Sequence, residues 1–122
     1  MKLKEIQKLL QADVLCGESE LEQEIATACG ADLMSDVLAF TKCGAILLTG
    51  LTNAQVVRTA DVGGLTAIIF VRGKKPSSEV IMMADDLGIP LLRTRFTLYE
   101  GCGLLFQNGI RACPRVEKTI EA

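Results

Sequence analysis

The chain has 122 residues, 49% of them hydrophobic but only 4% aromatic, with a net charge of -2. That is enough for one domain with an aliphatic core, and it excludes the strongly basic face that a nucleic-acid backbone attracts. No apolar segment approaches the ~20 residues a membrane span needs, and Met1-Lys2-Leu3-Lys4-Glu5 leads straight into an amphipathic pattern rather than a signal peptide. The expectation is a cytoplasmic domain that meets neither nucleic acid nor membrane.

Leu3, Ile6, Leu9 and Leu10 fall on one face of a short amphipathic helix. Ala12 to Gly17 reads as a turn and brief strand, followed by an acidic loop from Glu18 to Glu22, and Glu24 to Ala31 reads as a strand. Asp32 is placed to cap a helix carrying Leu33, Met34, Val37, Leu38 and Phe40, closed by Lys42-Cys43-Gly44. Ala45 to Thr49, apolar up to its closing threonine, has the pattern of a strand covered on both faces. Asn53 is a good cap for a helix from Ala54 to Val62 that stops at Gly63-Gly64.

Thr66 to Val71 is a second buried strand, rich in β-branched residues and too short for a helix. Pro76 stands where a helix can begin, the spacing of Val80, Ile81, Met83, Ala84 and Leu87 is helical, and Gly88 is the expected left-handed stop. Ile89 to Leu92 is a third buried strand, so two consecutive βαβ units share the strand at Thr66 to Val71. Thr97-Leu98-Tyr99-Glu100 has the form of a capping box opening a last helix to Phe106 or Gln107. The tail from Ile110 to Ala122 reads as a short strand or helix at best.

Catalytic chemistry finds little to use. There is no histidine, no G-x-x-x-x-G-K-[ST] phosphate loop, no Ser-His or Cys-His pair, and Asp85-Asp86 diverge on their helix. Five cysteines, none spaced C-x-x-C, read as reduced and mostly buried thiols, so no metal and no cofactor is predicted. Cys102, near the start of the last helix, is open to a second reading in which the helix dipole lowers its thiol pKa.

Two surfaces are candidates for function. In an open α/β sheet, ligands settle at the carboxyl ends of the strands, which here means Thr49, Gly50, Arg72, Gly73, Lys74, Thr94 and Thr97. These offer hydroxyls, amides, two cations and helix N-termini to a nucleotide or phosphate; the alternative is that they are turn residues and caps. Phe96, Leu98, Tyr99, Cys102 and Leu105 make the last helix apolar on more than one face, as a two-fold dimer interface would be. The alternative there is a helix sandwiched between sheet and tail.

The segment AIIFVRGKKPSSEVIMMADDLGIPLLRTRFTLYEGCGLL resembles the second half of a DRTGG domain. The opening KLKEIQKLLQADVLCG and the helix GADLMSDVLAF resemble stand-alone members of that family, which are related to the amino-terminal domain of HPr kinase. The resemblance covers roughly residues 2 to 107. It implies a three-layer α/β/α sandwich with a mostly parallel, mixed sheet of about five strands, and a homodimer. It also implies a regulatory or scaffolding role beside a metabolic enzyme, as in family members adjoining CBS domains of pyrophosphatases or phosphate acetyltransferase domains. Stand-alone members occur near genes for iron hydrogenases, which makes such an enzyme a candidate partner. Thr52-Asn53 stands where the family has Asp-Arg, and of its Thr-Gly-Gly only Gly73 remains, preceded by Val71-Arg72.

Overall fold

The computed structural model describes residues 1–41 and 44–114. The predicted stop at Lys42-Cys43 and the tail beyond Pro114 lie outside the described residues. The chain forms α1 (Leu3–Leu9), β1 (Asp13–Cys16), a single 3-10 turn at Glu18–Glu20, β2 (Thr27–Gly30) and α2 (Met34–Phe40). It continues with β3 (Ile46–Thr49), α3 (Ala54–Gly63), β4 (Ala67–Phe70), α4 (Ser78–Asp86), β5 (Leu91–Arg93), α5 (Leu98–Gln107) and β6 (Arg111–Ala112).

Among the described residues, six strands form one sheet in the order β1-β5-β4-β3-β2-β6. All neighbours run parallel except β1, which joins β5 antiparallel at one edge, with a register irregularity between Val14 and Cys16. The mixed α/β sandwich is thus as expected, with one strand more. The addition is β6, only two exposed residues long, which pairs with β2 at the far edge.

Alternation along the central strands builds two cores. Leu47, Ile68, Phe70 and Leu91 face Met34 and Val37 of α2, Val56, Val57 and Ala60 of α3, and Val80 and Ala84 of α4. Ile46, Leu48, Ile69 and Leu92 face Leu3, Ile6 and Leu10 from α1 and its C-cap, and Leu105 of α5. Every residue of β3 and β4 is therefore buried, which is why both read as almost wholly apolar runs.

The helix starts follow local chemistry, with two corrections. Asn53 accepts from the Val56 amide at 3.3 Å, and Thr97 and Glu100 form the reciprocal capping box at 2.9 and 3.1 Å. Pro76 is not the first residue of α4: Ser77 is the N-cap, accepting from Val80 at 3.3 Å, so Pro76 precedes the helix. Asp32 does not cap α2 either. Leu33 holds the N-cap position without a side-chain hydrogen bond, and the Asp32 carboxylate is engaged elsewhere.

Candidate functional site

Helices α2 to α5 all begin where a parallel strand has just ended, so β2, β3 and β4 present their carboxyl ends to one rim. At that rim Asp32 follows β2, Gly50 follows β3, Arg72 follows β4, and Thr97, Leu98 and Tyr99 open α5. Together with Val71 these residues line a concavity of about 290 Å³.

Asp32 is fixed from two sides. The Thr49 hydroxyl donates to its Oδ1 at 2.9 Å and the Gly50 amide donates to the same oxygen at 2.8 Å. The Gly50 amide, the Thr49 hydroxyl and, more weakly, the charges of Arg72 and Lys74 hold the carboxyl below the usual aspartate range. It is therefore ionised at neutral pH. Thr49 itself is fully buried and also accepts from the Leu51 amide at 3.2 Å, so its hydroxyl positions Asp32 rather than facing solvent.

Arg72 has φ 57, in the left-handed region that side chains rarely adopt, and Gly73 continues the turn with φ 69. The turn is clamped to the loop after β5: the Arg72 amide donates to the Phe96 carbonyl and the Gly73 amide to the Thr94 carbonyl, both at 2.8 Å. A Cβ built on Gly50 would lie 3.4 Å from Arg72 Nη2 and 3.8 Å from both Asp32 carboxylate oxygens. The guanidinium and the carboxylate thus flank Gly50 without closing into an ion pair.

Of the seven rim residues read from the sequence, Gly50, Arg72 and Thr97 come together here, with Thr49 just beneath. Thr94 does not join them. It is buried, its hydroxyl donates to the Leu10 carbonyl at 2.6 Å, and it borders a separate polar hollow with Gln11, Asp13, Arg93 and Arg95. Gly73 and Lys74 line neither concavity. The Thr97 hydroxyl is spent on the Glu100 amide, which also sets the Glu100 carboxylate against the start of α5. Asp32, absent from the sequence-based site, is the residue that reasoning missed; its partners lie 17 and 18 positions away.

The residues read as an interface also separate. Tyr99 is 89% exposed, whereas Leu105 is 1% exposed and belongs to the core. Phe96, Leu98 and Cys102 are half-buried against that same core. Burial pushes the Cys102 thiol up, with a smaller contribution from Cys29. Its fifth position in α5 is also past the first turn, where the dipole acts, so the reading of a lowered thiol pKa is corrected. Among the described residues, no three His, Cys, Asp or Glu side chains gather to hold a metal ion, and no helix is long and apolar enough to cross a membrane.

The sequence profile of the DRTGG domain matches residues 5–108. The chain belongs to the DRTGG domain family. A solved structure similar to this DRTGG domain is that of the CBS and DRTGG domains of the regulatory region of Clostridium perfringens pyrophosphatase, complexed with its activator diadenosine tetraphosphate. The TM-score is 0.71 at 18% identity, over 93% of this chain and 50% of that one. At that identity the likeness is one of fold, and this chain spans half the length of that chain. No curated protein matches.

Proposed function

We propose that this DRTGG domain is a non-catalytic regulatory domain that senses a small ligand of the nucleotide or phosphate class in the concavity between Asp32, Gly50 and Arg72. It would do so in the service of a metabolic or redox enzyme. The observation that carries this reading is a mismatch between side chains and backbone. The turn at Arg72 has the conformation that favours glycine, at a cost of roughly 1 kcal/mol for any other residue. Gly50 is not among the glycines with positive φ, so its backbone does not require glycine. Arg72 is held in that turn beside the room that Gly50 leaves, which sets a cation at the edge of an open space as a ligand site requires. The activator held by the regulatory region of the pyrophosphatase supports the nucleotide class.

The test is thermal stability against adenine and guanine nucleotides, diadenosine tetraphosphate, phosphate and acetyl phosphate. A ligand at ~100 times its dissociation constant adds ~2.7 kcal/mol, a shift of several degrees for a domain of this size. Arg72→Ala is expected to abolish the shift. A shift that survives Arg72→Ala, or a flat panel, would reject the reading.

A homodimer is the second part of the proposal, and α5 supports it. Tyr99 and Phe106 are 89% and 63% exposed and lie two turns apart on one helical face, with exposed Gly103 between them. A self-complementary contact through that stripe would cover both rings, with the glycine allowing close approach. Sedimentation should show a dimer that Tyr99→Asp/Phe106→Asp converts to monomer while each chain stays folded. A monomeric wild type, or a dimer indifferent to the double substitution, would remove this part.

A further inference from the structure

Resting on the reading of this concavity as a ligand site, we infer that it recognises the 2′-hydroxyl of a ribose, and so distinguishes ribonucleotides from their deoxy counterparts. Arg72 Nη2 and the Asp32 oxygens make no ion pair within 4.0 Å, yet the Cβ position of Gly50 is 3.4 Å from one and 3.8 Å from the others. The two groups therefore stand more than 4 Å but at most about 7 Å apart, and up to about 6 Å of that range is within reach of one atom with two hydrogen bonds.

The bridging atom has to satisfy opposite demands. A carboxylate only accepts and a guanidinium only donates. A phosphate oxygen placed there would face the ionised Asp32, while an ammonium or a metal ion would face Arg72. A hydroxyl donates to one and accepts from the other. With Oδ1 of Asp32 already receiving two hydrogen bonds, Oδ2 is the acceptor left for a ligand.

Three further features agree. The carboxylate is anchored through Thr49 and Gly50 before any ligand arrives, so little ordering is needed on binding. The α5 N-terminus beside the concavity already holds the Glu100 carboxylate, which makes it a poor second site for a phosphate. At about 290 Å³ the concavity is at the small end for ligand pockets, room for one sugar ring rather than a whole dinucleotide.

The experiment is isothermal titration of the full chain with the four ribonucleoside 5′-monophosphates and their 2′-deoxy counterparts, repeated on Asp32→Asn. Asparagine keeps an oxygen for Thr49 and the Gly50 amide, and circular dichroism with a melting curve would verify that it folds. The expected result is that at least one ribonucleotide binds tenfold or more tighter than its deoxy form, and that Asp32→Asn erases the difference. Equal binding of both forms would overturn the inference, as would tighter binding to Asp32→Asn, the signature of a site that reads phosphate charge. If all eight fail to bind while acetyl phosphate or phosphate gives an Arg72-dependent thermal shift, the hydroxyl reading falls and the sensor reading stands. If that panel is flat as well, both fall.

Discussion

Truncating Leu105 to alanine is expected to lower the unfolding free energy by about 3 kcal/mol, within the ~2–5 kcal/mol found for buried leucines. The size follows from how little else α5 buries. Only Gly101 and Leu105 of that helix are buried, and Leu105, at 1% exposure, is the one large side chain it buries fully in the core with Ile46, Leu48 and Leu92, while Leu98, Cys102 and Leu104 are half-buried against it. Removing it deletes transfer energy and leaves a cavity beneath the helix that carries Tyr99. At concentrations where the chain is monomeric, Tyr99→Ala, on the exposed face, should change stability by no more than ~0.5 kcal/mol. Urea denaturation of the two variants separates the roles. A Leu105→Ala protein of unchanged midpoint would show that α5 gains its stability from a partner surface instead.

Gly17→Ala should cost a similar amount, about 3 kcal/mol, from two sources. Gly17 has φ 86, and a Cβ there would come within 2.6 Å of the Pro90 Cα, a backbone atom that cannot swing aside. The left-handed conformation contributes ~1–2 kcal/mol and the overpacking ~1–3 kcal/mol. Gly88 supplies the control. Its φ is 73 but nothing lies within 4 Å of its Cβ position, so Gly88→Ala should show only the conformational part. Denaturation midpoints of the two variants that coincide would mean the β1–β5 edge relaxes to accept a methyl group. The consequence for the site is indirect. The β5 end is tied to α1 through Thr94 and Leu10, and its loop clamps the Arg72 turn, so disturbing this edge should also weaken ligand binding.

What could be read directly from the chain was whatever neighbouring residues decide among themselves. Asn53 and Thr97 cap α3 and α5 because a side-chain oxygen reaches an amide three residues on. Ile46 to Thr49 and Ala67 to Phe70 are strands covered on both faces because only that position suits four consecutive buried residues. The family could be recognised for the same reason: strand, turn, helix and Gly-Ile-Pro follow one another without interruption from Ala67 to Leu92.

The same local logic failed where a residue answered to something distant. Asp32 precedes a helix and looks like a cap, yet a buried hydroxyl and an amide from β3 offer it two hydrogen bonds, and it turns to them. Thr94 sits at a strand end among other rim residues, but the carbonyl that accepts its hydrogen bond belongs to Leu10, 84 positions earlier. Leu105 and Tyr99 are both large and apolar in one helix, and only the sheet beneath decides which is core and which is surface.

The sequence alone therefore determined the class of fold, the positions of the central strands and helices, and the absence of a recognisable catalytic motif. Each of these depends on period, capping or residue type within a few positions. The tertiary structure decided the strand order, the edge positions of β1 and β6, and the meeting of Asp32, Gly50 and Arg72 over one small concavity. Parallel packing brings together the ends of strands that are some twenty residues apart in the chain, and no local pattern records which of them will be neighbours.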